Sequence, residues 1–247
     1  MTRYVVRKFA GELESRQSAA VDVFEIEGAR GSDAVIKDYE VIGIAYPVHS
    51  FNAPKIVIDF VKGLPEADNK DAFVLCTAGE DSPVNSASSD LLIWILRKKG
   101  FNVFFEKKFT MPSNFIIKDE AGSVKDKLEM VSAEIPDTAN MILNIIPQKN
   151  KSGFFVKLLA IIGRIEWPGM RLVRLYSDSK CDGCGACAAK CPNRNIFIKA
   201  GRAAFKWNCG LCMRCLYLCP AQAIRFRFPV RFFAFDKWYE NDEFKII

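Results

Sequence analysis

A chain of 247 residues, half of them apolar, can bury one sizeable core and still supply a small second domain. Lys and Arg number 35 against 29 Asp and Glu, a formal charge of +6 that is unevenly placed: from Arg171 onward 14 basic residues face 6 acidic ones, and the first 170 residues carry 21 against 23. The longest apolar stretch near the middle, Phe154 to Gly163, is broken by Lys157 and falls short of the roughly 20 residues a bilayer span needs, and Met1 to Lys8 has no apolar run with a cleavage site, so the expectation is a cytoplasmic chain without a membrane span.

In chain order, the first 117 residues alternate strand-like and helix-like segments. Ala20 to Ile26 and Tyr39 to Tyr46 read as strands, the second apolar enough to be buried in a parallel sheet. Lys55 to Lys62 reads as a helix stopped by Gly63-Leu64-Pro65, and Ala72 to Cys76 as the next buried strand. Ser89 or Asp90 can cap a helix through Leu91 to Leu96 that ends at Lys98-Lys99-Gly100, and Asn102 to Phe105 gives one more strand. Such alternation predicts βαβ units in a doubly wound sheet, whose ligands bind beyond the carboxyl ends of the strands. Those ends run into Tyr46-Pro47-Val48-His49-Ser50-Phe51-Asn52 and Thr77-Ala78-Gly79-Glu80-Asp81, both candidate ligand loops.

Residues Ser123 to Ile146 look helical with an interruption at Pro136, and Lys149 to Gly153 is polar enough to be a link. Phe154 to Tyr176 reads as a packing helix plus linker, with a partner-binding helix as the alternative. The expected division is 1–150 for the α/β domain, 151–175 for the linker and packing helix, and 176–247 for the last domain with its extension.

Eight of the nine cysteines fall in two runs, Cys181-Cys184-Cys187-Cys191-Pro192 and Cys209-Cys212-Cys215-Cys219-Pro220, each spaced C-x₂-C-x₂-C-x₃-C-P. In this pattern three thiolates wrap one [4Fe-4S] cubane and the fourth reaches across to the other. One cluster should therefore take Cys181, Cys184, Cys187 and Cys219, and the second Cys209, Cys212, Cys215 and Cys191. Gly183, Gly185 and Gly210 suit a backbone that turns tightly and aims its N–H groups at sulfur. A zinc ribbon needs only four ligands and gives no reason for two duplicated runs. Two oxidised clusters with their thiolates would remove about 4 positive charges, so the basic balance is weak support for nucleic-acid binding.

These runs resemble bacterial two-cluster ferredoxins over roughly 176–228, including Asn195-Ile196-Phe197-Ile198 and Ala203-Ala204-Phe205-Lys206 between them and Ala221 to Ile224 at the close. Together with Tyr46-Pro47-Val48-His49, Thr77-Ala78-Gly79 and Met111-Pro112-Ser113-Asn114-Phe115, the chain resembles the EFR-family ferredoxins, in which a flavodoxin-like domain is fused to a two-cluster ferredoxin domain. The resemblance implies an α/β flavodoxin-like doubly wound parallel sheet, incomplete at its start, followed by an α+β two-cluster ferredoxin fold. It also implies FMN contacts at Tyr46 to Asn52 and at Thr77 to Glu80. Flavodoxins hold the FMN phosphate on a loop of the type S-G-T-G-N-T ahead of the first helix. Here Thr2 matches the last threonine of that loop and Arg3 to Ala10 the helix behind it. The expectation is a strand and loop missing ahead of Met1 through a start assigned too late, with a remodelled domain as the alternative.

His49, the only histidine, reads as a loop residue before it reads as a flavin contact, and Cys76 as a small apolar filler before a redox group. Arg225 to Phe228 and Arg231 to Phe235 alternate basic and aromatic residues, as a strand or extended tail would, or a docking surface for an acidic redox partner. Glu80 and Asp81 read as a solvated loop. The function implied is low-potential electron transfer with redox protein partners, the flavin exchanging electrons with the clusters. A flavin-free docking domain and a flavin oxidoreductase acting on a small acceptor are the rival readings.

Overall fold

The computed structural model describes residues 1–16, 20–26, 36–113, 119–150, 152–169 and 174–227, and divides the chain into two compact units, one of Met1–Pro112 with Asp119–Arg164 and the other of the remaining residues.

The first unit is built on a parallel sheet in the order β1 (Val41–Pro47), β2 (Lys70–Ala78), β3 (Phe101–Thr110). The central strand β2 buries Ala72, Val74, Leu75 and Cys76, as an all-round apolar run requires when both faces are covered. Its helices are α1 (Thr2–Ser15), α2 (Lys55–Gly63), α3 (Asp90–Lys98), α4 (Ala121–Leu143) and the part of α5 (Phe154–Gly169) up to Arg164, the rest of which belongs to the other unit. Helices α1 and α4 pack together on one face of the sheet, and α2 and α3 pack together on the other. Helix α1 buries Val5, Phe9, Ala10 and Leu13 along one stripe. Helix α4 buries Val124, Leu128, Val131, Ile135, Ala139 and Ile142 at heptad spacing. This is the doubly wound, flavodoxin-like α/β form.

Two expectations change. Ala20 to Ile26 forms no strand: Val23 and Phe24 are half-exposed, and the segment is held by side chains, Tyr39 donating to Asp22 at 2.5 Å and Arg3 pairing with Glu25 at 2.8 Å. A strand exists only against a partner, and among the described residues no strand pairs with the outer edge of β1. Pro136, expected to break a helix, lies inside α4, where buried Ile135 and Ala139 on either side hold the turn despite one lost backbone bond.

The second unit holds two small antiparallel pairs, β4 (Leu175–Ser177) with β7 (Ile224–Phe226) and β5 (Ile196–Lys199) with β6 (Arg202–Phe205), and two short helices, α6 (Ala186–Ala189) and α7 (Arg214–Leu218). The β5–β6 hairpin turns through Ala200 (φ 49°) and Gly201 (φ 71°), the paired left-handed residues of a type I′ turn. Leu175, Ile196, Leu216, Ile224 and Phe226 form the core beside Cys187 and Cys215, giving the α+β ferredoxin form. Of the expected strand or tail over Arg225 to Phe228 and Arg231 to Phe235, β7 holds Arg225 and Phe226, and residues 228–235 lie outside the described residues.

Candidate functional site

The two cysteine runs have the same backbone. In the first, Gly183 (φ 72°) and Gly185 (φ 79°) are left-handed; two and four residues after Cys209, Leu211 (φ 49°) and Met213 (φ 60°) take the same conformation. Three residues past each closing cysteine, Arg194 (φ 48°) and Gln222 (φ 46°) do so again. Non-glycine residues in this region cost about 1–2 kcal/mol each, so the shape is imposed by what it positions. Gly210 is not left-handed, against the tight turn expected there; a Cβ would stand 2.9 Å from Asn193 Nδ2 and would press on the amide that bonds Asn208 O. Leu211 and Met213 escaped notice in the sequence, although aligning the two runs puts them opposite Gly183 and Gly185.

What the shape positions is a set of N–H groups on sulfur. Ala203 donates to Cys181 Sγ (3.4 Å), Ala223 to Cys219 Sγ (3.2 Å), Asn195 to Cys191 Sγ (3.3 Å) and Leu211 to Cys209 Sγ (3.4 Å). Each run thus receives an N–H at its first cysteine and another at its fourth. Asn193 and Asn208 bond reciprocally, each amide to the other's carbonyl at 3.0 and 3.2 Å, and Asn208 N donates to Asn195 Oδ1 at 2.7 Å, tying the end of the first run to the start of the second.

The side chains group across the runs. Cys219 of the second run lines one pocket with Cys181, Cys184 and Cys187 of the first, closed by Ile198, Ala203 and Ile224. Burial pushes the Cys187 thiol up, and the charges of Cys219, Cys181 and Cys184 add to it. Cys191 of the first run acts in the same way on Cys209, which burial pushes up to about 11, and on Cys212 and Cys215. Bare thiols so placed stay protonated near neutral pH; gathering four thiolates there requires a positive core to offset them. Among the described residues no group of three or more His, Cys, Asp or Glu is drawn together as around a single metal ion. A tetrahedral zinc holds four sulfurs at about 2.3 Å from one centre. Four cysteines around one pocket, with N–H donors on the sulfurs of Cys181 and Cys219, suit the separate iron corners of a cubane.

In the first unit the predicted ligand loops meet at the carboxyl edge of the sheet. Val48 N donates to Thr77 O at 2.8 Å, and the Thr2 and Thr77 hydroxyls bond at 2.8 Å. His49 and Asn52 exchange backbone bonds at 2.9 Å around Ser50 (φ 45°) and Phe51 (φ 61°), a strained two-residue turn. Desolvation lowers the His49 imidazole to about 4, so it is neutral near pH 7 and offers no charge to a phosphate. Tyr46 and Asn52, 1% exposed each, are bonded inward: Tyr46 donates to Ser89 Oγ at 2.7 Å, and Asn52 Nδ2 to the carbonyls of Ser50 (2.9 Å) and Ala160 (2.7 Å). Pro47 ends β1, and Ala78 is buried behind it on β2. Gly79 accepts from Lys127 Nζ at 2.9 Å. Glu80 and Asp81 are exposed, Asp81 pairing with Lys108 at 2.9 Å. Cys76 is a fully buried filler whose thiol burial raises to about 12.

Behind these loops sits a buried acid that the sequence did not suggest. Glu106 on β3 is 2% exposed; Oε2 accepts from Asn150 N at 3.3 Å, and Oε1 has no hydrogen-bond partner among the described residues. Asn102 to Phe105 reads as a complete strand, so Glu106 looks like the polar residue after its end, whereas β3 continues to Thr110.

Residues 174–220 match the family model described as a 4Fe-4S dicluster domain. The matched stretch lies in the second unit and takes in both cysteine runs. Two solved structures are similar to the chain at low identity. General stress protein 14 of Treponema denticola, in complex with FMN, is 9% identical with a TM-score of 0.40, covering 56% of this chain and 91% of its own. The apo form of an NADH:FMN oxidoreductase is 18% identical with a TM-score of 0.37, covering 62% of this chain and 88% of its own. No curated protein sequence matches the chain.

Proposed function

We propose that the protein carries single electrons at low potential through two [4Fe-4S] clusters, one on Cys181, Cys184, Cys187 and Cys219, the other on Cys209, Cys212, Cys215 and Cys191. The observation that supports this is the pocket shared by three cysteines of one run and the fourth of the other, with an N–H aimed at the first and last sulfur of each run. Such donors stabilise added negative charge on sulfur and so favour electron uptake. When bound, the clusters would supply one-electron chemistry; the chain fixes the thiolates, covers them with buried Leu211 and Ile224, and ties the two runs together through the Asn193–Asn208 pair.

In the same reading residues 1–150 form a domain that takes FMN at the strand ends, a linker and packing helix occupies 151–175, and 176–247 is the ferredoxin domain. The Thr2 and Thr77 hydroxyls and the backbone of 47–52 and 77–80 would hold the flavin, which when bound couples one-electron to two-electron chemistry. The partners are redox proteins, in the cytoplasm. A second reading, a docking domain without flavin, is favoured by the inward bonding of Tyr46 and Asn52.

Anaerobic reconstitution tests both. The expected yield is about eight irons and eight sulfides per chain, from two four-iron clusters; about four of each would refute the two-cluster reading. Extracted FMN at one per chain supports flavin exchange, and a flavin-free protein with full clusters selects the docking reading. Cys219→Ser should alter the electron paramagnetic resonance signal of the cluster served by the first run; an effect confined to the second run would contradict the crossed ligation.

A further inference from the structure

The outer face of the β5–β6 hairpin carries charge that the fold itself does not balance. Register sets Lys199 directly opposite Arg202 and Phe197 opposite Ala204. Side chains alternate across a strand, and Ile198 and Ala203 line the cysteine pocket, so Phe197, Lys199, Arg202 and Ala204 share the other face. Lys206 extends that row, its N–H bonded to Asn195 O at 2.8 Å. Lys199, Arg202 and Lys206 are exposed, and none of them pairs with an acid among the described residues; Phe197, on the same face, is 40% exposed. Like charges set directly opposite each other destabilise a sheet. The two acids of residues 174–227 are bonded elsewhere, Asp178 to Arg225 at 3.5 Å and Asp182 to Cys184 N at 3.1 Å. Ten Lys and Arg stand against those two acids, an excess that two clusters with their thiolates, about −4 together, only halve.

The same hairpin touches the first cysteine run. Ala203 N donates to Cys181 Sγ at 3.4 Å, and the turn lies so close that a Cβ on Gly183 would stand 2.6 Å from Gly201 O. One strand layer therefore separates the cysteine pocket from the charged face, and a carrier seated on that face is within short reach of the sulfurs. An acidic protein surface supplies the counter-charge that the Lys199–Arg202 pair lacks, while aromatic and Arg side chains such as Phe197 and Arg202 are the types that anchor protein interfaces. We propose that the outer face of the β5–β6 hairpin docks an acidic one-electron carrier protein, with Lys199, Arg202 and Lys206 steering it and Phe197 anchoring it beside the first cluster. The proposal rests on the electron-transfer reading and adds to it the docking surface and the charge of the partner.

The test mixes the reconstituted, oxidised full-length protein with an acidic flavodoxin and reads binding by calorimetry. Stopped flow then follows the reduced protein, in which one electron leaves a cluster and reduces the flavodoxin by one, with no bond formed. Binding that weakens with salt is expected. Lys199→Glu/Arg202→Glu keeps a like-charged pair, so the strain in the hairpin is unchanged while its sign is reversed; association should slow at least about tenfold. Lys62→Glu/Lys149→Glu alters net charge equally at exposed sites of the other unit and should change association by less than about twofold at physiological salt. Phe197→Ser should speed dissociation and spare association, and Lys206→Glu repeats the charge test at one site should the double variant fail to take up iron. The proposal is overturned by a flavodoxin that does not bind, by a reversed hairpin that binds as the parent does, or by an equal loss in the Lys62/Lys149 control. It is overturned as well by single-stranded RNA that binds the face more tightly than flavodoxin, and by flavodoxin binding that occurs only once residues 236–247, with Asp236, Glu240, Asp242 and Glu243, are removed. Failure of the electron-transfer reading shows separately, as iron short of about eight per chain or clusters that take up no electron.

Discussion

Gly183→Ala and Gly185→Ala form a matched pair, because both glycines are left-handed, at φ 72° and 79°, but only one is crowded. An L-residue in this region costs about 1–2 kcal/mol, and that is the whole expected loss at Gly185, where an added Cβ meets nothing within 4 Å. At Gly183 the Cβ would stand 2.6 Å from Gly201 O and 2.9 Å from its carbonyl carbon. These atoms are backbone in the β5–β6 turn, so the hairpin must retreat; forcing an extra methyl into a packed site adds about 1–3 kcal/mol. The expected totals are about 1–2 kcal/mol for Gly185→Ala and about 2–5 kcal/mol for Gly183→Ala. The hairpin also carries the Ala203 N–H that bonds Cys181 Sγ at 3.4 Å, so only Gly183→Ala should disturb the first cluster's signal. Urea unfolding of the reconstituted protein under anaerobic conditions, followed by circular dichroism and cluster absorbance, measures both. Equal losses, or a larger loss at Gly185, would refute the argument that hairpin and cysteine loop are in contact there.

Three further outcomes are expected. Burial pushes the Glu106 carboxyl up, with Asp90 adding to it and bonds from Ser89 and Asn150 opposing, so the fold favours the protonated form; its contribution is present below the unfolded value near 4.5 and is lost as pH rises through the folded one. Glu106→Gln should therefore flatten the decline in unfolding free energy as pH rises above about 4.5, and parallel curves for the two proteins would dismiss the idea. Asn52→Ala leaves the Ser50 and Ala160 carbonyls without their amide donor, at about 1–3 kcal/mol, which should lower the melting temperature by several degrees and speed proteolysis at α5; an unchanged melt would mean that water replaces the bonds. Leu211→Gly removes left-handed strain worth about 1–2 kcal/mol but gives up a side chain buried to 7% exposure, worth about 1.5–3 kcal/mol, so a small net destabilisation is expected by denaturant midpoint and a gain in stability would show that strain dominates.

How far the sequence led depended on the range of the interaction. The cysteine spacing is local and was legible to the residue, as was the alternation that places β1, α2, β2 and α3. The segment 20–26 was misjudged because an apolar run specifies a strand only when a neighbour offers its ladder. Pro136 misled for the opposite reason: a local breaker was overruled by the heptad of buried residues along α4. The apolar character of α5 was plain, but which side of it touches the domain was not, since only Ala160 and Gly163 decide that, through Asn52 and Ser50 more than a hundred positions earlier.

The duplicated runs carry an argument about cooperativity that neither run shows alone. The donors to the fourth sulfurs, Asn195 for Cys191 and Ala223 for Cys219, lie four residues beyond each cysteine in its own run. In the proposed crossed ligation each such sulfur serves the cluster wrapped by the other run. Every cluster then takes its wrapping loop from one half and an oriented thiolate from the other, and Asn208, hydrogen-bonded to Asn193 and Asn195, links the two frames again. A disturbance at Asn195 would shift a ligand of the second cluster while leaving the three-cysteine loop around it intact. Loss of one cluster would release a thiolate whose backbone is part of the other's loop, so the two clusters should assemble and bleach together rather than one at a time.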